Sequence, residues 1–210
     1  MKTLVLKINP KKPEKDKIQK AAQILKMGGL VAFPTDTVYG LGADATNGPA
    51  VKKIFKVKKR PLSKALPILI GDKTELTLYA SGVSAKIKKL TDEFWPGPLT
   101  IVVKKKKNIP DVVTAGKKTV GIRVPDNPVA LALIIALGRP LAATSANISD
   151  KPSPTTAHNV KKYLNKKIDL ILDGGKTSLG VESTVLDCTT SPPTLLRPGA
   201  IPMEKIEKNI

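Results

Sequence analysis

Between residues 14 and 187 the apolar side chains of this sequence keep switching between two spacings, and that alternation restricts the fold more than any other feature. Residues 14–27 place Ile18, Ala21, Ala22 and Leu25 on one helical face, and Gly28-Gly29 then supplies a C-cap. The short apolar run 30–33 predicts a buried strand, followed by the turn-rich Pro34-Thr35-Asp36-Thr37-Val38-Tyr39-Gly40-Leu41-Gly42. A second helix is predicted over 49–59, where Pro61 stops it. Further strands are predicted over 66–70, 99–103, 119–124, 141–144, 168–172 and 183–187. Helical stretches near 73–79, 84–94, 128–137 and 155–164 separate them. Interleaved helices and strands predict an α/β fold, a sheet covered by helices. No internal repeat, long linker or composition shift marks a boundary, so one domain over 1–210 is expected.

Such a chain can bury its core without covalent staples, and the residue counts agree. Cys188 is the only cysteine and His158 the only histidine. A disulfide framework, the usual structural zinc sets and a His-paired triad repeated elsewhere are thereby excluded, and no protein-bound metal is expected. The longest strongly apolar run, 129–137, is too short for a transmembrane helix, and the first seven residues lack the long apolar stretch and cleavage site of a signal peptide. A soluble, cytoplasmic protein with no membrane partner is expected.

The formal charge of +19 points to a polyanionic partner. All but four of the 36 basic residues are lysines, which equally suit solvated faces. The arginines differ: Arg60, Arg123, Arg139 and Arg197 each lie beside or near a proline, and a guanidinium on a stiff turn suits fixed oxyanion recognition.

Lys58 carries the most informative local conflict. It follows Ile54 by four and Phe55 by three, so it falls inside the apolar stripe of its helix. An ammonium there must snorkel out or meet an anion. Arg60, before Pro61, leaves helical geometry and can approach the same anion, so Lys58, Lys59, Arg60 and Lys64 form a candidate phosphate clamp. A basic helix C-terminus complementing the macrodipole is the competing reading. The run Leu141-Ala142-Ala143-Thr144-Ser145-Ala146-Asn147 is an apolar strand ending in short polar groups, where open α/β sheets bind ligands, although Ser and Asn also suit turns. Gly175-Lys176-Thr177 imitates the end of a P-loop, but Leu170 stands where the earlier glycine belongs, and no G-x-G-x-x-G occurs. His158 reads as a partly exposed helical residue and Cys188 as a small apolar one. Asp36 and Glu182 lie in polar turns that can face the groove but are too isolated in sequence to count as a paired acid and base.

Six segments in order resemble the threonylcarbamoyl-AMP synthase (YrdC-like) family: Gly28 to Leu41 (GGLVAFPTDTVYGL), Lys58-Lys59-Arg60-Pro61, Gly121-Ile122-Arg123-Val124-Pro125, Ser145-Ala146-Asn147, Glu182-Ser183-Thr184-Val185 and Leu196-Arg197-Pro198-Gly199. The resemblance implies a single α/β domain on a twisted mixed sheet with a large basic groove. It also implies condensation of ATP, L-threonine and bicarbonate or carbon dioxide into threonylcarbamoyl-AMP and pyrophosphate. A downstream transferase would then modify adenosine 37 of tRNA. Lys58 and Arg60, as K-x-R, would be catalytic and hold phosphate, with Ser145 and Asn147, as S-x-N, on the nucleotide. Ser183 and Arg197 would join the ATP site, while Thr35, Tyr39 and Arg123 would shape the threonine end. Lys64 is followed by Ala65 where many members have proline, and the chain ends soon after Gly199, so it looks like the short form.

A carbamate formed from threonine and carbon dioxide can displace pyrophosphate from the α-phosphorus without a protein nucleophile, with Mg²⁺ held mainly by the phosphates. The competing reading is a non-catalytic tRNA or double-stranded RNA binder, for which +19 and a basic groove suffice. Paired K-x-R and S-x-N motifs favour the synthase, because adhesion to a duplex needs only scattered charge.

Overall fold

The structure is a computed structural model that describes residues 2–209. Its strands in chain order are β1 (Leu4–Lys7), β2 (Val31–Phe33), β3 (Gly40–Asp44), β4 (Ile68–Leu69), β5 (Ala80–Ser81), β6 (Leu99–Lys105), β7 (Thr119–Arg123), β8 (Leu141–Ser145), β9 (Leu170–Asp173), β10 (Thr184–Asp187) and β11 (Thr194–Arg197). The helices are α1 (Lys15–Lys26), α2 (Gly48–Lys58), α3 (Leu76–Tyr79), α4 (Ala85–Phe94), α5 (Asp111–Thr114), α6 (Pro128–Leu137), α7 (Ala157–Leu164) and α8 (Met203–Glu207). No helix among the described residues is long and apolar enough to cross a membrane.

Helix limits follow local chemistry. Helix α1 buries the four expected residues and ends where Gly28, at φ +78°, donates its N–H to Leu25 O. The Asn47 side chain caps α2 by accepting from Ala50 N, with Pro49 in the first turn. Arg60 cannot be helical before Pro61, so α2 stops at Lys58 and Lys59 takes the left-handed conformation at φ +53°.

All the strands join one mixed sheet in the order β1-β9-β2-β3-β8-β4-β7-β6-β10-β11, with β5 added to β6. The pairs β1/β9, β9/β2, β4/β7 and β6/β10 are parallel and the others antiparallel. Side chains alternate across each strand, so the sheet separates two cores. On one face Val31, Phe33, Leu69, Leu141, Ala143, Leu170 and Leu172 pack with α1 and α6. On the other, Ala32, Leu41, Ile68, Ile101, Ile122, Ala142 and Ile171 pack with Ile54 and Phe55 of α2 and with residues of α4 and α7.

Four strands lie outside the expected set, among them the two-residue β5, which pairs only with the end of β6. Strand β3 falls in the segment read as a turn, because glycines at 40 and 42 erase the apolar alternation. The rings and branches of neighbours require them: a Cβ on Gly42 would lie 2.9 Å from both Leu141 and Phe33 side-chain atoms. Strands β1 and β11 are short, mostly exposed edge strands whose pairing comes from β9 and β10.

Candidate functional site

A cavity of about 340 Å³ opens on the face of the sheet that α1 and α6 leave uncovered. Leu69 of β4, Ala143 and Ser145 of β8, Arg123 of β7 and Thr100 of β6 line it. Their strand neighbours Ile68, Ala142, Ile122 and Ile101 point into the opposite core. The ligand position expected at strand carboxyl ends holds for β8, β7 and β4, whose last residues Ser145, Arg123 and Leu69 line the cavity with Asn147 just beyond β8; Thr100 and Ala143 extend the site across the central strands, and Gly40 of β3 helps leave it open.

Arg123 forms the charged floor and is 6% exposed. Its Nε donates to Gly97 O at 2.9 Å, one terminal nitrogen donates to Thr37 Oγ1 at 3.0 Å, and the other pairs with Asp36 Oδ1. Burial lowers its pKa, and Asp36 opposes that change. Three of five N–H groups are used, so two remain for a ligand. Thr35 Oγ1 donates to Val38 O at 2.6 Å and accepts from Thr37 N at 3.1 Å, which fixes the turn that presents both threonines. Asp36, read as an isolated turn carboxylate, is the buried partner of this arginine.

Lys58 is 2% exposed and neither snorkels nor waits for an anion. Its Nζ donates to Ser145 O, to Asn147 O at 2.7 Å and to Asn147 Oδ1 at 2.9 Å. Three acceptors match the three N–H groups of an ammonium. Burial first, and then Arg60, push its pKa down to about 7, while Glu182 acts in the opposite direction. Ser145 Oγ donates to the same Asn147 Oδ1 at 2.7 Å, and Asn147 Nδ2 donates to Lys151 O. K-x-R and S-x-N are thus one hydrogen-bonded unit, joined through Lys58.

Arg60 is half-buried and anchored by Nε to Lys64 O at 3.0 Å and by a terminal nitrogen to Ala65 O at 2.8 Å. Burial and the neighbouring Arg197 lower its pKa. Arg197, at the end of β11, donates to Ser183 O at 2.8 Å and Ser183 Oγ at 3.1 Å, and pairs with Glu182. Ser183 Oγ also lies 2.9 Å from Thr100 Oγ1. Gly199 makes this corner possible: a Cβ there would fall 2.4 Å from Ser183 C and Thr184 N. The glycine of Leu196-Arg197-Pro198-Gly199 is where one backbone crosses another.

Eight of the nine residues to which the resemblance gives a role line the cavity, and of the candidate clamp only Lys59, exposed at the end of α2, does not. Tyr39 is the ninth: its ring is buried beneath the site, and its hydroxyl donates to Gly175 O at 2.7 Å, with burial and Asp173 raising its pKa. Lys64 reaches the rim, 4.0 Å from Asp150. His158 is exposed on α7 and absent from the lining, while Cys188 packs against the core with its thiol pushed up to about 12 by burial. Gly175-Lys176-Thr177 lies in the β9–β10 loop, which leads to a strand and not to a helix. Sequence reasoning assigned no role to Lys151 or Ser153 in the cavity wall; their signal was only proximity to S-x-N. Among the described residues no cluster of three His, Cys, Asp or Glu side chains could hold a metal.

A family model for Sua5/YciO/YrdC, described as "Telomere recombination", matches residues 23–199. Threonylcarbamoyl-AMP synthase of Pyrococcus abyssi is 51% identical over 94% of this chain and 58% of its own length. A putative threonylcarbamoyl-AMP synthase of Methanocaldococcus jannaschii is 40% identical over 99% of both chains. The crystal structure of P. abyssi Sua5 complexed with L-threonine superposes with a TM-score of 0.96 at 48% identity, over 99% of this chain and 60% of that one. The chain thus spans little more than half the length of the Pyrococcus relative.

Proposed function

The chain belongs to the Sua5/YciO/YrdC family, and from that premise we propose that it is an L-threonylcarbamoyladenylate synthase acting on ATP, L-threonine and bicarbonate or carbon dioxide. The observation that carries this reading is the convergence of Lys58, Arg60, Arg123, Lys151 and Arg197 with Ser145 and Asn147 on one small cavity. The relatives' names and the threonine bound to P. abyssi Sua5 support it.

In this reading the two unused N–H groups of Arg123 take the carboxylate of threonine. Leu69, its register partner, forms an apolar wall with Pro67 and Ala143 for the methyl group. The amine and carbon dioxide give a carbamate and a proton. A carbamate oxygen then attacks the α-phosphorus, and the bond to the bridging oxygen breaks as pyrophosphate leaves. Arg60, Arg197 and Lys151 neutralise charge gathering on the leaving phosphates, while Lys58 holds Ser145 and Asn147 in place beside the nucleotide. Mg²⁺ fits as a companion of ATP held by phosphate oxygens, because Glu182 is engaged by Arg197 and Asp150 sits exposed at the rim.

The product would pass to a transferase that modifies tRNA, in the cytoplasm where ATP and tRNA meet. Duplex RNA binding alone leaves this cavity without a role, since a duplex is too wide to enter it. The test is pyrophosphate release with ATP, threonine and bicarbonate omitted in turn: all three should be required. Hydrolysis of ATP to ADP indifferent to threonine would refute the proposal.

A further inference from the structure

Two carboxylates line the cavity, Asp150 exposed at its rim and Glu182 held within its wall, and Glu182 is the one at odds with the surrounding chemistry. Lys58, Arg60, Lys64, Arg123, Lys151 and Arg197 all line the cavity, yet a carboxylate stands among them. Glu182 is held at both oxygens, with Oε1 accepting from Ser153 Oγ at 2.6 Å and Oε2 accepting from a terminal nitrogen of Arg197. The rest of the Arg197 guanidinium is committed to Ser183, so the nitrogen facing Glu182 is the one through which this arginine can reach a ligand. Glu182 also acts beyond that contact. It offsets the burial of Lys58 and the repulsion of Arg60 by Arg197.

We infer that the Glu182 carboxylate is a built-in anion: in the free protein it occupies the position on Arg197 that a phosphate group takes in the complex, and it thereby limits how tightly pyrophosphate is held. The inference rests on the synthase reading for the identity of the phosphate ligand. A carboxylate and a phosphate repel at this range, so an incoming polyphosphate must share or displace the Glu182 contact, and a departing one is replaced by it. The cations stay ordered when the cavity is empty, and the product is not trapped by a wall that would otherwise carry only cations at Arg197 and its neighbours.

Titration calorimetry with inorganic pyrophosphate on wild type, Glu182→Gln, Glu182→Ala and Glu182→Asp tests this, alongside melting curves with and without pyrophosphate. Glu182→Gln should bind pyrophosphate about tenfold more tightly, or ~1.4 kcal/mol. It should also melt lower when empty and gain more from the ligand than wild type does. Glu182→Ala, which removes charge and tether together, should also tighten binding, and Glu182→Asp, which keeps the charge, should fall on the wild-type side. A purely structural tether predicts the reverse: weaker binding in all three variants. Unchanged or weaker binding in both neutral variants overturns the inference, as does a wild type that does not bind pyrophosphate. Threonine-dependent pyrophosphate release is measured in parallel. Its absence would refute the synthase reading while the affinity comparison still decides the role of Glu182.

Discussion

Two buried cations set the chemistry of the cavity, and they are stabilised differently. Arg123 has a carboxylate partner, so Asp36→Ala would leave a guanidinium buried without its counter-charge. We expect a loss of about 3–5 kcal/mol in urea unfolding. Lys58 has only neutral oxygens, and its pKa near 7 gives its charge a pH dependence. A polyanion in the cavity favours the protonated form and so raises that pKa on binding. The sign follows: pyrophosphate affinity should fall as pH rises above about 7, by up to tenfold per unit, and proton uptake should make the binding enthalpy depend on the buffer. Lys58→Met should remove this slope and lower kcat/KM by about a hundredfold. A wild-type affinity flat between pH 6 and 9 would refute this role for its charge.

At the scale of elements, two backbone positions bind the motifs to the fold. Gly199 lies where the chain after β11 crosses the strand entry at Ser183 and Thr184. Gly199→Ala should push these segments apart and displace Arg197 and Ser183, lowering activity at least tenfold with the α1–α6 core intact. Near-normal activity in a folded variant would show that the crossing can give way. Lys59 closes α2 in a left-handed conformation that costs a non-glycine residue roughly 1 kcal/mol. Lys59→Gly should therefore raise stability by about that amount in chemical denaturation, and it leaves the Lys58 contacts in place because the Lys59 side chain is exposed.

At the scale of the whole molecule, most of the +19 charge lies outside the cavity. Lys104 and Lys107 at the far end of β6, with Lys117 and Lys118 before β7, are all exposed. If this basic corner receives tRNA, replacing the four by Gln should weaken tRNA binding and reduce the slope of log affinity against log salt by up to about 4 units. Synthase turnover on small molecules should not change. A fall in turnover would place these lysines in the active site, against the geometry.

The longer helices were legible from the sequence because amphipathic spacing and stop signals act over one or two turns: Ile18 to Leu25 and the Gly28-Gly29 stop needed no distant partner, whereas the one-turn α5 and α8 carry no such spacing. So was the conflict at Lys58, since a charge in an apolar stripe is a local fact. Strand β3 was not, because its glycines make sense only against Phe33 and Leu141, which lie elsewhere in the chain. The motifs marked Arg123, Ser145 and Arg197, but spacing along the chain says nothing about which face of a sheet a strand residue joins. Burial of Tyr39, the pairing of Asp36 with Arg123 and the three oxygens around Lys58 depend on contacts across up to 136 positions. Local periodicity therefore determined the elements and named the charged groups. Only packing of the sheet between its two cores decided which of those groups meet, because the partner that satisfies a buried charge is supplied by a distant strand end or turn.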